Sequence, residues 1–179
     1  MTAPTPPAET PPGSAPGGSA TTRSAPTDRP PQDTRRSLGA GAVIGVGLMA
    51  AVDEIVFHQL LGWHHFYDRS TSDVALLSDG VLHAVELVLL VGGFFLVADL
   101  QRRRALSRGF LRAGLLIGAG GFQLFDGLVD HKVLRVHQVR YGVDTLPYDL
   151  AWNGFGALVL VTGLVLLRRA RRRAGAAGR

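Results

Sequence analysis

The chain has no cysteine and only two methionines among 179 residues. The first absence excludes disulfides, thiolate metal sites and thiol catalysis. The second leaves no thioether-lined relay for copper(I). No haem-attachment motif is present either. Residues 1–37 are rich in Pro, Thr, Ser, Ala and Gly and almost lack large apolar side chains. Such a segment cannot bury enough surface to offset its ordering entropy, so a disordered tail is expected there. No basic start leads into a short apolar core, so a secretory signal peptide is not expected.

What the chain does have is apolar length. Four runs follow the tail: Leu38 to Leu61, Ser78 to Leu100, Phe110 to about Leu134, and one starting near Tyr148 that ends in RRARRR. At about 1.5 Å per residue each can cross the hydrocarbon core as a helix. Trp63, Phe66 and Tyr67 suit an interfacial belt, and the third run opens with the glycines of GLLIGAGG, which permit close helix packing. The expected fold is all-α, a polytopic four-helix transmembrane bundle. Its membrane domain should cover residues 38–168, followed by a basic tail over 169–179.

A net charge of +5 is compatible with nucleic-acid binding, but the placement of the cations points elsewhere. The N-terminal arm, the central loop QRRRALSRGFLR and the C-terminal tail hold most of the Lys and Arg. By the positive-inside rule both termini and that loop are cytoplasmic. The basic character reflects topology and contact with a lipid bilayer, and no nucleic-acid partner is expected.

Ionisable residues inside such runs are costly and tend to be functional. DEIVFHQLLGWHHFYD, Asp53 to Asp68, and DGLVDHKVLRVHQVRYG, Asp126 to Gly142, share one skeleton. Asp53 matches Asp126, His58 matches His131, and His64 matches His137. Both read Asp, four residues, His, five residues, His, which indicates an internal duplication. The repeats should cover about 38–100 and 109–168. On an α-helical wheel Asp53 and His64 lie roughly 20° apart, with Glu54, His58, His65 and Asp68 within about 140° of them. Asp126, Asp130, His131, His137 and Tyr141 fill a similar arc. Asp79, His83 and Glu86 line the start of the second run, and Asp149 and Asn153 echo Asp79 and His83. Two hairpins of like topology should be related by an axis along the membrane normal, bringing both Asp/His stripes together near the outer face.

Imidazole and carboxylate together suit zinc, iron or copper(II). The candidate ligands or orienting partners are Asp53, His58, His64, His83, Glu86, Asp126, His131 and His137. Of these, His83 and His131 have the most apolar surroundings. His64 and His65, beside Trp63, are equally readable as interfacial histidines, and Asp79 and Asp130 as caps or loop partners. Gly127 in place of Glu54, and Asn153 in place of His83, make the site asymmetric. Three other readings stay open: a self-satisfied polar network, a proton or ion relay, and haem held by two histidines. Against a through-path, the cytoplasmic halves lack matching polar residues.

The strings VDEIVFHQLL, SDGVLHAVELVLLVGGFF, GFQLFDGLVDHKVLRVHQVRYGV and LPYDLAWN resemble a bacterial family of predicted membrane proteins, domain of unknown function 2243. The resemblance covers roughly residues 38 to 168. It implies a small multi-pass protein of the bacterial plasma membrane with no established activity. Some members are thought to neighbour cytochrome oxidase assembly proteins, which favours copper or haem handling and implies respiratory oxidase assembly proteins as partners. The functional expectation is a transition-metal site, in a metal-dependent enzyme or a metal-handling protein.

Overall fold

The computed structural model describes residues 1–3 and 31–177. Most of the tail assigned to residues 1–37 lies outside them. All regular structure among the described residues is helical. Helix α1 spans Thr34–Asp53 and runs into a π-helical segment, Glu54–Leu60. Helix α2 spans Ser72–Arg102, α3 spans Arg108–Phe125 with its own π-helical continuation Asp126–Leu134, and α4 spans Leu146–Ala177. Helix α1 thus begins inside the stretch expected to be tail, where the Asp33 carboxylate accepts the Arg36 backbone N–H at 2.9 Å and caps the first turn. Thr71 caps α2 in the same way, and Pro147 sits in the first turn of α4, where a missing N–H costs nothing.

Three helical stretches, Thr34–Leu60, Ser72–Arg102 and Leu146–Ala176, are long and apolar enough to cross a membrane. Helix α3 with its continuation is not among them, being diluted by Arg112, Gln123, Asp126 and a run of glycines. Those glycines serve packing. The helices lie side by side in the order α2, α1, α3, α4, with α1 and α3 central. A methyl group at Gly41 or Gly45 would run into the Leu111 or Leu115 carbonyl of α3, and one at Gly114 or Gly118 into the Leu38 or Ala42 carbonyl of α1. Two small-xxx-small faces therefore press backbone to backbone, the arrangement that lets apolar helices associate where burial from water gives no drive. The outer helices leave Leu76, Val81, Val88, Phe94 and Phe95 on α2, and Leu150, Phe155, Leu158 and Val161 on α4, exposed. In water so wide an apolar surface would aggregate, whereas against lipid tails it is at home.

The helices alternate in direction, so the start of α1, the α2–α3 turn and the end of α4 share one end. There the Ser107 backbone N–H donates to Ser37 Oγ at 2.9 Å, and the Asp33 N–H to the Ala105 carbonyl at 2.8 Å. Arg102, Arg103, Arg104, Arg108 and Arg168 to Arg173 gather at this basic end. The Asp/His segments lie at the opposite end.

Candidate metal centre

The spacing Asp-x4-His places residue i+5 about 140° away from residue i on an α-helix. Both copies abandon α-helical geometry at the Asp. The π-helical segments Glu54–Leu60 and Asp126–Leu134 close each turn on residue i+5 instead. The wider turn brings His58 round to the side of Asp53, and His131 to the side of Asp126. His58 Nε2 lies 3.7 Å from Asp53 Oδ2, and His131 Nε2 lies 3.3 Å from Asp126 Oδ2.

His64 and His137 reach the same place by another route, which corrects the wheel reading. They lie beyond the helix ends at Leu60 and Leu134, in segments that fold back across the helices. Gly62 (φ 56°) and Arg135 (φ 51°), one in each copy, adopt the left-handed conformation that turns the chain. The reversals are matched. His64 Nδ1 hydrogen-bonds the Val139 carbonyl at 3.0 Å, and His137 Nδ1 the Phe66 carbonyl at 2.9 Å. A carbonyl only accepts, so each Nδ1 carries a proton and each Nε2 of the neutral ring presents a lone pair. These bonds cross between the copies, and one is the image of the other at the sequence offset that takes Asp53 to Asp126.

The rings meet at the centre. His64 and His137 are stacked, with centroids 4.6 Å apart and planes 4° from parallel. His58 stands edge-on to His64 at 4.5 Å, and His131 edge-on to His137 at 4.7 Å. The cross pairs His58–His137 and His64–His131 are 6.1 and 6.0 Å apart. None of the four histidines is more than 3% exposed. Asp53 and Asp126 are buried beside them, and Asp126 Oδ1 lies 3.3 Å from His137 Nε2. Its other oxygen accepts the Trp152 Nε1–H at 3.0 Å.

The polar bookkeeping does not close. His58, His64, His131 and His137 all have a buried Nε2 without a hydrogen-bond partner, and Asp53 Oδ1 is also unpaired. The contacts of 3.3 Å with Asp126 are close in distance but poorly aligned for hydrogen bonding. Burial, reinforced by His137, His58 and His131, pushes His64 down to about 2, so its ring is neutral at any ordinary pH. For His137 burial also opposes charge, but the adjacent Asp126 carboxylate and the Phe66 carbonyl outweigh it and leave the ring above its ordinary value. Donor atoms of His64, His131 and His137 lie within 4.8 Å of one another, as do those of Asp53, His58 and His64, and those of Glu54, His58 and Asp79. Buried His/Asp/Glu groups here can hold a metal ion.

Not every expected residue joins the centre. His83, half exposed on α2, is bonded to Glu86 and lies 3.8 Å from Glu54 Oε1, at the edge of the cluster. Tyr141 is exposed in the segment after the helix. Asp79, read from its surroundings as a cap or loop partner, is instead buried. It accepts from the Phe66 N–H at 2.8 Å and contacts His58 at 3.2 Å and His65 at 2.6 Å. The Asp79 hydrogen bond holds His65 above its ordinary value. The Trp152 donor and the Phe66 and Val139 carbonyls escaped the sequence reading, since nothing in a single chain marks a backbone acceptor. Trp152 could have been suspected from its place one residue before Asn153, on the helix already matched to α2.

Residues 40–170, which take in most of the helical assembly and its buried cluster, match DUF2243, described as a predicted membrane protein. The chain belongs to that family. The matched region takes in both Asp/His segments and most of each of the four helices, while the N-terminal tail falls outside it. No curated protein and no solved structure matches the chain. As a DUF2243 protein it is a membrane protein whose family description names no activity, so its chemistry must be read from the cluster.

Proposed function

We propose that this protein is a four-span membrane metalloprotein, built from two repeated helical hairpins. Asp53, His58, His64, Asp126, His131 and His137 hold a transition metal between the repeats. One observation carries the reading: four neighbouring buried imidazoles leave Nε2 without a partner, and ligand atoms of three of them, His64, His131 and His137, lie within 4.8 Å of one another. A buried polar atom left unpaired costs about 1–3 kcal/mol, and natural networks seldom leave more than a few. A self-satisfied polar network would use these atoms, whereas a metal ion uses their lone pairs. The second nitrogen of His64 and of His137 is fixed on a backbone carbonyl, the outer bond that metal-ligating histidines make. Zinc, copper(II) and iron(II) all suit imidazole with carboxylate.

The duplication is supported by contacts as well as by sequence. The Gly41–Leu111 contact has Gly114–Leu38 as its counterpart, and the Gly93–Ile44 contact has Gly163–Ile117. An axis between α1 and α3, along the membrane normal, relates the hairpins. With the basic end cytoplasmic, both termini lie inside and the centre lies near the extracytoplasmic face.

Haem fits less well. Axial imidazoles of a bis-histidine haem face each other across the macrocycle, and four rings within 6.1 Å leave no slot for one. A relay is disfavoured because the cluster sits at one end and continues into the glycine-packed midsection. A site closed to water suits stable retention of the ion, as a redox or structural centre, better than rapid exchange by a carrier. A part in respiratory oxidase assembly rests on the family resemblance alone.

Elemental analysis of full-length protein purified in detergent without a polyhistidine tag tests the reading. We expect a stoichiometric transition metal that the His64→Ala/His137→Ala variant lacks. A folded wild-type protein free of metal, even after incubation with zinc, copper(II) and iron(II), would leave the polar network as the better account.

A further inference from the structure

The two repeats are not equivalent around His58 and His131, and the difference is chemical. Beside His58, the first repeat adds Glu54 and Asp79, both buried and no more than 1% exposed. His58 Nδ1 lies 2.6 Å from Glu54 Oε2 and 3.2 Å from Asp79 Oδ1, while its Nε2 turns the other way, toward Asp53. Glu54 Oε2 makes no hydrogen bond despite that distance, so a fully buried carboxylate oxygen is aimed at the ring without a proton in line. Glu54 Oε1 accepts from Gln59 Nε2 at 2.8 Å, which fixes the carboxylate.

Around His131 the same positions are disarmed. Gly127 replaces Glu54, and a side chain there would collide with Trp152 and Asn153. Asp149, the counterpart of Asp79, is paired with Lys132. His131 Nδ1 is left without a partner.

We propose that the first repeat holds a second cation, bound by Glu54, Asp79 and His58 Nδ1, so that His58 bridges it to the ion of the symmetric centre. This rests on the metal reading above for its shared ring, but the second set of ligands is separate. Buried carboxylates persist when paired or bound to metal. Asp53, Asp126, Glu54 and Asp79 supply four negative charges, matched by two divalent ions, one on each side of the ring. For His58 to serve both ions its Nδ1 proton is released to solvent, so that the ring adds a fifth negative charge against the four positive charges of the two ions. His83 with Glu86, and His65 on Asp79, stand at the rim, where a cation would approach.

Zinc counting decides the proposal. Full-length protein in detergent is stripped with chelator, reloaded with zinc, freed of excess by gel filtration and assayed per chain. Two equivalents in the wild type and one in Glu54→Gln/Asp79→Asn are expected. One equivalent in both would overturn the second site and leave the symmetric one standing. Two retained by the variant would overturn the ligand assignment. None in the wild type would overturn both readings. If the double variant does not fold, the wild-type count and the isosteric Glu54→Gln variant alone make the same distinction. Copper(II) loading tests the bridge. The paramagnetic resonance signal should rise over the first equivalent and fall over the second as the two spins couple through the ring, whereas a signal that doubles would overturn the sharing of His58.

Discussion

His64 and His137 face each other with their rings 4.6 Å apart, each anchored by Nδ1 to a backbone carbonyl in the other repeat. The pair ties two segments that are distant in sequence and directs two lone pairs into a buried centre. Because the anchors are reciprocal, removing either ring should have the same effect on stability. His64→Ala orphans the Val139 carbonyl and His137→Ala the Phe66 carbonyl, each costing about 1–3 kcal/mol in metal-free protein. Thermal denaturation of both variants after chelator treatment checks this. A large loss in one and none in the other would contradict the reciprocal arrangement.

Close approach of α1 and α3 positions both Asp/His segments, so overpacking that contact should disturb the site at a distance. Gly45→Ala and Gly118→Ala place a methyl group against the Leu115 and Ala42 carbonyls, and each should destabilise by about 1–3 kcal/mol or more. A methyl group at Gly121 meets nothing within 4 Å, and Gly121→Ala should be neutral or slightly stabilising through helix propensity. Melting temperatures of the three variants in one detergent compare them directly.

Trp152 donates to Asp126 Oδ2 at 3.0 Å and orients a carboxylate that also faces His131 and His137. Trp152→Phe keeps the aromatic packing and removes the donor. Loss of such an outer partner typically weakens a metal site about 10–100-fold. Competition with a graded series of chelators should show a shift of that size, with the fold intact by circular dichroism.

The absence of cysteine makes topology easy to test. Ser72→Cys, at the start of α2 and near the cluster, should react with a membrane-impermeant maleimide on intact cells. Gln101→Cys, at the basic end, should react only after the membrane is opened. The reverse pattern would place the cluster on the cytoplasmic side.

Much of this arrangement is legible in the chain because lipid leaves few options for ionisable residues. Asp53, His58, Asp126 and His131 stand out in apolar surroundings, and their repetition gives away their association. What stayed hidden depends on backbone geometry. A wheel of ideal α-helix spreads Asp53 and His58 apart, and only the switch to π-helical turns brings them round to one side. It also carries His64 and His137 along helices that in fact stop at Leu60 and Leu134, and the neighbouring Trp63 left His64 equally readable as a ligand and as an interfacial residue. His83 looked central because its neighbours are apolar, yet those neighbours face outward on a peripheral helix, and its ring is half exposed. Asp79 looked like a cap and is buried, since its partners His58, His65 and Phe66 come from other segments.

X-ray absorption at the metal edges of the full-length, untagged protein, as isolated, tests the central claim most directly. We predict an edge for one or more transition metals at stoichiometric intensity, a first shell of nitrogen and oxygen, and the outer-shell scattering of several imidazoles. A spectrum without such an edge, or a metal whose shell lacks imidazole and survives in His64→Ala/His137→Ala, would contradict the account.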